Sequence, residues 1–458
     1  MTRLLIECTH VFEHPQVNSG IQRVVRNVIN QLPESVEGVE CIPVVILNGK
    51  LYRVLNLAPL DTPFFNRLLC FGARLEHLSH RFYQRYATLE KRWPMNQSRF
   101  ARRALYAGYR CCSLACFSVP LKITGLISKR QLPRRCFPLQ HQPSDHLVLL
   151  DSSWQADFFP MVEKLKCEGV GIISIIYDLI PLTHPQFYEA RLVKVFTQWF
   201  DWIARTADAY VAISATVRDQ LREELLERIG PDKVNTLWFD YFYLGSELDL
   251  SVRSATVEPR MERMFAVPDP VFLMVSTIEP RKNHEYLLDA FEQAWAEGSK
   301  ARLCIIGGIG WKCESLISRV RNHPELNKRL FMFNSLTDTS LEYAYSQATA
   351  LVFPSYVEGF GLPLVEAMQR GLPVMASDIP VFREIGKEFV AYFDLDDPKN
   401  LASLITGFER SGDFPATRNI TEWSWICWRE ASQQMAERVQ RNLRKASVSK
   451  ERQHADCP

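Results

Sequence analysis

The chain alternates short apolar runs with amphipathic stretches, and that alternation predicts strand and helix in turn. A first strand is expected over 4–6, a helix over 20–32 and a second strand over 41–47. Apolar runs at 147–150, 171–177 and 209–213 predict further strands, with helical patterns at 187–205 and 215–229 between them. Residues 247–269 mix polar, charged and Pro positions and read as a linker, after which 272–276 restarts the pattern. Strands alternating with helices imply α/β, doubly wound layers. The expected domains are 1–250 and 265–420, followed by a helix over 421–445 and a disordered tail over 446–458.

One segment breaks the alternation. Between 60 and 145, Leu68, Phe71, Leu75, Leu78, Phe82, Tyr86 and Leu89 recur at three- and four-residue steps, a helical stripe that ends before Pro94. A second apolar stretch over 104–121 is interrupted by Arg110 and is too short to span a bilayer. Charge sets the segment apart as well. From 61 to 140 there are 15 Lys/Arg against three Asp/Glu, a net +12, so with +2 overall the rest carries −10. Two readings follow: a helical subdomain packed on the N-terminal domain, or a basic amphipathic surface lying on anionic lipid. Nucleic acid is not the expected partner, because no DNA- or RNA-binding module accompanies the charge.

A length of 458 residues suits two or three domains. No signal peptide is read at the start, where Glu7 follows too closely on Met1. The 12 cysteines are scattered, as expected for core residues in a reducing compartment. Cys111, Cys112, Cys116 and Cys136 form the one cluster, and its spacing is not that of a metal site, so no metal is expected.

The most informative chemistry lies at Glu358-Gly359-Phe360-Gly361-Leu362-Pro363-Leu364-Val365-Glu366. An apolar strand pattern over 350–353 precedes it and an apolar helix follows, so the unit is strand, glycine loop, helix. Glycines admit close backbone approach, and a helix N-terminus presents N–H groups to an anion. Carboxylates accept hydrogen bonds from hydroxyls. A polyhydroxylated, phosphate-bearing ligand such as a nucleotide sugar fits. The glycines of Gly307-Gly308-Ile309-Gly310 lack the spacing of a dinucleotide fingerprint, so NAD is not expected.

Glu358 to Glu366 resembles the Glu-x7-Glu motif of retaining glycosyltransferases with the GT-B fold, family four. Ser276-Thr277-Ile278-Glu279-Pro280-Arg281-Lys282-Asn283 resembles that family's donor-phosphate segment, and Ile305 to Trp311 and Gly371 to Pro380 resemble its neighbouring strand-loops. Asn18 to Asn27 resembles its N-terminal glycine loop, and Tyr177-Asp178 its His-Asp strand end with the histidine replaced. The resemblance implies two Rossmann-like domains facing across a cleft, with the basic helical insertion in the first and the helix over 421–445 crossing back to the N-terminal domain. It implies catalytic roles for Glu358 at the transferred sugar, Lys282 and Arg281 at the diphosphate, and Asp178. It implies donor binding by Glu366 at the ribose, by the amides of Gly359, Phe360, Gly361 and Leu362, by Gly20 and at Thr277. The family places an arginine where Thr277 stands, so Arg281 either substitutes for it or only lies nearby.

The reading is a retaining hexosyltransferase, without a cofactor or required metal. It moves mannose from GDP-mannose to a lipid-linked glycan in O-antigen, capsule or exopolysaccharide synthesis, in the cytoplasm or on the inner face of the plasma membrane. Two alternatives stay open: a non-catalytic, membrane-associated glycan-binding or scaffold protein, and a GT-B sugar-nucleotide epimerase.

Overall fold

The computed structural model describes residues 2–15, 20–36, 38–57, 71–72, 75, 78–79, 82–83, 85–86, 99–120, 122, 135–155, 158–247, 256–334 and 336–455. The chain divides into two compact units: Met1–Glu7, Ser19–Cys41 and Gln142–Pro458 form one, and Cys8–Asn18 with Ile42–His141 the other. In chain order the strands of the first half are β1 (Arg3–Glu7), β2 (Ser35–Val36), β3 (Val39–Leu47), β4 (Lys50–Val54), β5 (Cys136–Pro138), β6 (His146–Leu149), β7 (Gly171–Ile176), β8 (Ala209–Ala212) and β9 (Trp238–Tyr241). Those of the second half are β10 (Val271–Val275), β11 (Arg302–Ile306), β12 (Leu330–Phe333), β13 (Ala350–Phe353), β14 (Val374–Ser377) and β15 (Val390–Phe393).

In the larger unit β1, β6, β7, β8 and β9 are successive parallel neighbours. The sequences of β6, β7 and β8 are near-continuous apolar runs because helices cover both faces; β7 buries five of its residues in a row. The covering helix Ala190–Thr206 turns Phe196, Trp199, Phe200 and Ile203 inward at the helical repeat. The second sheet, also within this unit, runs β12-β11-β10-β13-β14-β15, all parallel. Its order reverses between β10 and β13. Ligands of open α/β sheets bind outside the carboxyl ends of strands at such a switch point. The loops leaving β10 and β13 carry Arg281, Lys282 and Glu358.

The two sheets are tied together inside the larger unit. Ser214 N-caps the helix Ala215–Val234, and the carboxylate of Glu384 accepts from Ala215 N at 2.7 Å, Thr216 N at 2.8 Å and Thr216 Oγ1 at 2.6 Å. An acidic group at a helix N-terminus satisfies orphan N–H groups and the dipole together. The helix continues past 229 only across a kink at Gly230, φ 77°, which precedes Pro231. At the other end of the chain, Ser432 Oγ donates to Val28 O.

Three expectations about organisation change. The linker over 247–269 contains the helix Pro259–Phe265, whose Met261 and Met264 are buried; Pro259 presets the first turn, and the two apolar anchors are hidden among charges. Residues 248–255 lie outside the described residues. The C-terminal helix runs Trp428–Ala455, so 446–455 is helical rather than disordered, in a stretch free of Gly and Pro. In the smaller unit the insertion ends before 145, because β5 pairs antiparallel with β4. There Arg135, counted among the basic residues, is buried over the Phe12 ring and donates to the carbonyls of Phe12 and Leu57.

Of the predicted stripe, Phe71, Leu75, Leu78, Phe82 and Tyr86 are helical, while Leu68 and Leu89 lie outside the described residues. Tyr86 and Phe82 stack on Tyr109 at 4.2 and 5.5 Å; Tyr109 lies in the helix Arg99–Ser113, which passes into the π-helical turn Leu114–Ser118. Phe71, Leu78, Tyr106, Leu114 and Val119 are exposed. No helix among the described residues is long and apolar enough to cross a membrane.

Candidate functional site

Glu358 leaves the carboxyl end of β13 and is 8% exposed. Ser355 Oγ donates to its Oε1 at 2.8 Å, and Ser377 Oγ at the end of β14 fixes Ser355 by donating to its carbonyl at 2.6 Å. Arg281 Nη1 donates to Oε2 at 2.7 Å, and Lys282 Nζ donates to Oε1. Burial alone would raise the carboxyl's pKa, but Arg281 and Lys282 outweigh it and hold Glu358 down at about 2. It is a carboxylate at any working pH. Arg281 and Lys282 follow β10 in one 3-10 turn, so adjacent residues deliver two cations to one acid. Burial and the neighbouring Arg281 lower the Lys282 pKa, against the pull of Glu358.

Two more acids complete the cluster. Glu279 lies 2.7 Å from Arg281 Nε, an ion pair without hydrogen-bond alignment, and burial raises its pKa against Arg281 and Lys282. Asp178, just past β7, accepts the Ile180 amide at 3.1 Å; burial raises its pKa, opposed first by Arg281. The predicted catalytic residues Glu358, Arg281, Lys282 and Asp178 are thus within electrostatic reach of one another. Tyr177, in the place of the family's histidine, turns its hydroxyl to Leu150 O in the core.

The glycine loop has a packing reason of its own. A Cβ on Gly359 would stand 2.2 Å from the carbonyl oxygen of Tyr177, and Gly359 O accepts from Ser214 Oγ at 2.9 Å. Gly361 has φ 97°, and its Cβ would meet the Phe382 ring at 2.7 Å. Phe360 is buried near Tyr243 and Trp425, and Leu362 opens the helix Leu362–Gln369. Gly307 similarly admits the carbonyl of Ser276, which a Cβ would meet at 1.7 Å. That contact brings the ends of β11 and β10 together, with Thr277 exposed between them. Gly20 opens the helix Gly20–Asn30, and no described residue comes within 4 Å of where its Cβ would point.

Glu366, 1% exposed, lies a turn into its helix. Tyr345 Oη donates to Oε2 at 2.8 Å and Arg23 Nη2 to Oε1 at 2.5 Å. Arg23, Tyr345, Glu279 and Ser355 are functional contacts that sequence reasoning does not single out. Arg23 and Glu279 stand within stretches singled out by resemblance, whereas nothing marks Tyr345 apart from other aromatic helix positions. The exposed Cys111, Cys112 and Cys116 lie apart from the buried Cys136 in burial, and no metal-binding group of three His, Cys, Asp or Glu occurs among the described residues.

Residues 260–421 match the family model described as Glycosyl transferases group 1. The serotype-specific mannosyltransferase WbdA of Escherichia coli is 28% identical over 445 residues, 94% of this chain and 46% of WbdA. The O-antigen chain mannosyltransferase RfbU of Salmonella typhimurium is 35% identical over 240 residues, 52% of this chain and 61% of RfbU. The chain thus spans about half the length of the curated relatives it matches. Anabaena Alr3699/HepE, solved in complex with UDP and glucose, superposes with TM-score 0.51 at 12% identity, covering 98% of this chain and 99% of that one. Sucrose-phosphate synthase from Thermosynechococcus elongatus superposes with TM-score 0.50 at 16% identity, covering 98% and 100%. The fold is the two-domain, Rossmann-like GT-B architecture of these glycosyltransferases.

Proposed function

We propose, for a chain whose residues 260–421 belong to the glycosyl transferases group 1 family, that it transfers a hexose from a nucleotide sugar to a glycan acceptor with retention of configuration. Mannose from GDP-mannose, passed to a lipid-linked O-antigen, capsule or exopolysaccharide chain, is the specific reading. The mannosyltransferase names of WbdA and RfbU support it. The observation that carries it is the buried cluster at the switch point: Arg281 and Lys282 held on a permanently ionised Glu358.

When the donor's C1–O bond breaks, negative charge grows on the departing diphosphate. Arg281 and Lys282 supply fixed positive charge there, in a site sheltered from water, which is where such charges act most strongly. Glu358 keeps both cations in place and offers acceptor oxygens to sugar hydroxyls. Glu366 accepts from the ribose diol. The acceptor hydroxyl then bonds C1 on the face the diphosphate leaves, and its proton passes to the departing diphosphate oxygen. Metal is not part of this proposal. The basic segment over 61–140, with its exposed Tyr106, Leu114 and Val119, is proposed to rest on anionic lipid at the cytoplasmic face. Flotation with phosphatidylglycerol vesicles, lost in high salt, is the expected result; no flotation refutes that part.

The deciding experiment is thermal unfolding with GDP-mannose, UDP-glucose, UDP-N-acetylglucosamine and UDP-galactose, on wild type and Glu366→Ala. Ligand at about 100 times its Kd stabilises the fold by about 2.7 kcal/mol. The expected result is stabilisation by GDP-mannose alone, absent in the variant, and an α-linked product by NMR from that α-linked donor. Stabilisation by a UDP-sugar replaces the donor assignment, an inverted product removes retention, and no stabilisation by any donor favours the scaffold reading.

A further inference from the structure

We propose that Arg23 is a donor-binding residue: it pairs with Glu366 and transfers its guanidinium to the donor's phosphate when the ribose claims that carboxylate. The inference rests on the reading of Glu366 as the ribose acceptor and extends it to a residue of the N-terminal half.

Both oxygens of Glu366 are engaged, Oε2 by Tyr345 and Oε1 by Arg23. A carboxylate oxygen has two lone-pair directions, so Tyr345 leaves room for a ribose hydroxyl beside it. A guanidinium also claims the other oxygen through a short, charge-assisted bond, the stronger kind. A ribose diol that takes both carboxylate oxygens competes with that bond for Oε1, and a cation displaced from its carboxylate in a buried place needs another anion. The nucleotide brings one.

Arg23 is placed to make that exchange. It sits in the first turn of the helix Gly20–Asn30, whose N-terminal amides favour an anion. Gln22 Nε2 donates to Ser152 Oγ at 3.3 Å, which anchors this turn to the loop after β6. Among the described residues, nothing lies within 4 Å of where a Cβ on Gly20 would point. The second, independent observation is Arg23 Nε itself: it is buried and has no hydrogen-bond partner among the described residues. A buried donor without an acceptor is costly to keep. A phosphate oxygen would satisfy it through the same fork that now grips Glu366 by a single Nη2.

The test is calorimetric binding of GDP, UDP, guanosine and uridine to wild type, Arg23→Ala and Arg23→Lys. A charge-assisted bond to the phosphate predicts that Arg23→Ala loses roughly ten- to hundredfold in affinity for the diphosphate and little for its nucleoside. Arg23→Lys keeps the charge without Nε, and a smaller loss confined to the diphosphate is expected. It carries the test alone if Arg23→Ala does not fold. Equal losses for nucleoside and diphosphate would make Arg23 a structural clamp on Glu366 and overturn the proposal. Tighter binding of both would make it a plug, which overturns it equally. Wild type that binds neither GDP nor UDP sinks the donor site itself, a different failure from a wild type that binds GDP no better than its Arg23 variants do.

Discussion

Replacing Glu358 with Gln removes the one carboxylate that both Arg281 and Lys282 contact, with little change of volume. Removing one partner of a buried ion pair costs about 3–5 kcal/mol, because the other charge stays buried without compensation. Here two cations are left, and Glu279 reaches only Arg281 directly. Lys282 has the easier escape, since an ammonium can lose its proton and a guanidinium cannot. Its pKa is already lowered by burial and by Arg281 in the intact protein, and Glu358 is what pulls it upward. In the variant it falls further. Between that lowered folded value and the ordinary 10.5 of the unfolded chain, the unfolded state binds a proton that the folded state does not. Stability in this window rises with pH, and the window is wider in the variant than in wild type. The deficit of Glu358→Gln should therefore be largest at the acid end and shrink as pH rises through the interval by which the variant's window exceeds that of wild type. Urea unfolding followed by tryptophan fluorescence at pH 6, 8 and 10 measures it. A deficit that stays constant with pH, or none at all, refutes the account of the cluster as one acid holding two buried cations.

Gly359→Ala puts a methyl against the Tyr177 carbonyl, backbone on both sides, and should cost about 1–3 kcal/mol. Gly407→Ala, in the helix Pro398–Ser411 with open space at its Cβ, should instead stabilise by about 0.5–1 kcal/mol; equal melting shifts for the two variants refute the close-approach argument. His284 is buried beside Lys282, and burial first, then that charge, hold its pKa down at about 3. As pH falls from its ordinary 6.5 toward that value, the unfolded chain takes up a proton that the fold refuses. Stability should then drop by about 1.4 kcal/mol per pH unit. His284→Gln removes this contribution, and identical stability–pH slopes for variant and wild type would contradict it.

What the sequence disclosed follows the range over which each signal acts. Strand, loop and helix around Glu358 are set by neighbours within a few positions, so 350–353 was read as the strand it forms. The half-buried β9 was missed because Trp238 to Tyr241 are all equally part-exposed and show no alternation. The sequence reads the motif glycines as ligand-facing; the structure adds that a side chain at Gly359 would meet Tyr177 O and one at Gly361 the Phe382 ring, partners remote in sequence. Arg281 and Lys282 were legible as adjacent cations. Their joint hold on Glu358 depends on β10 and β13 being neighbours in the sheet, which no local pattern states. Arg23 and Tyr345 are the extreme case: each acquires its meaning only from Glu366.

The grip of Glu384 on the start of the helix Ala215–Val234 has a consequence for protein engineering. A graft whose junction falls between 216 and 384 and whose new partner lacks an acid at position 384 would leave two backbone amides and a threonine hydroxyl without their acceptor. Hybrids of this chain should therefore inherit Ser214 to Thr216 and Glu384 from the same parent.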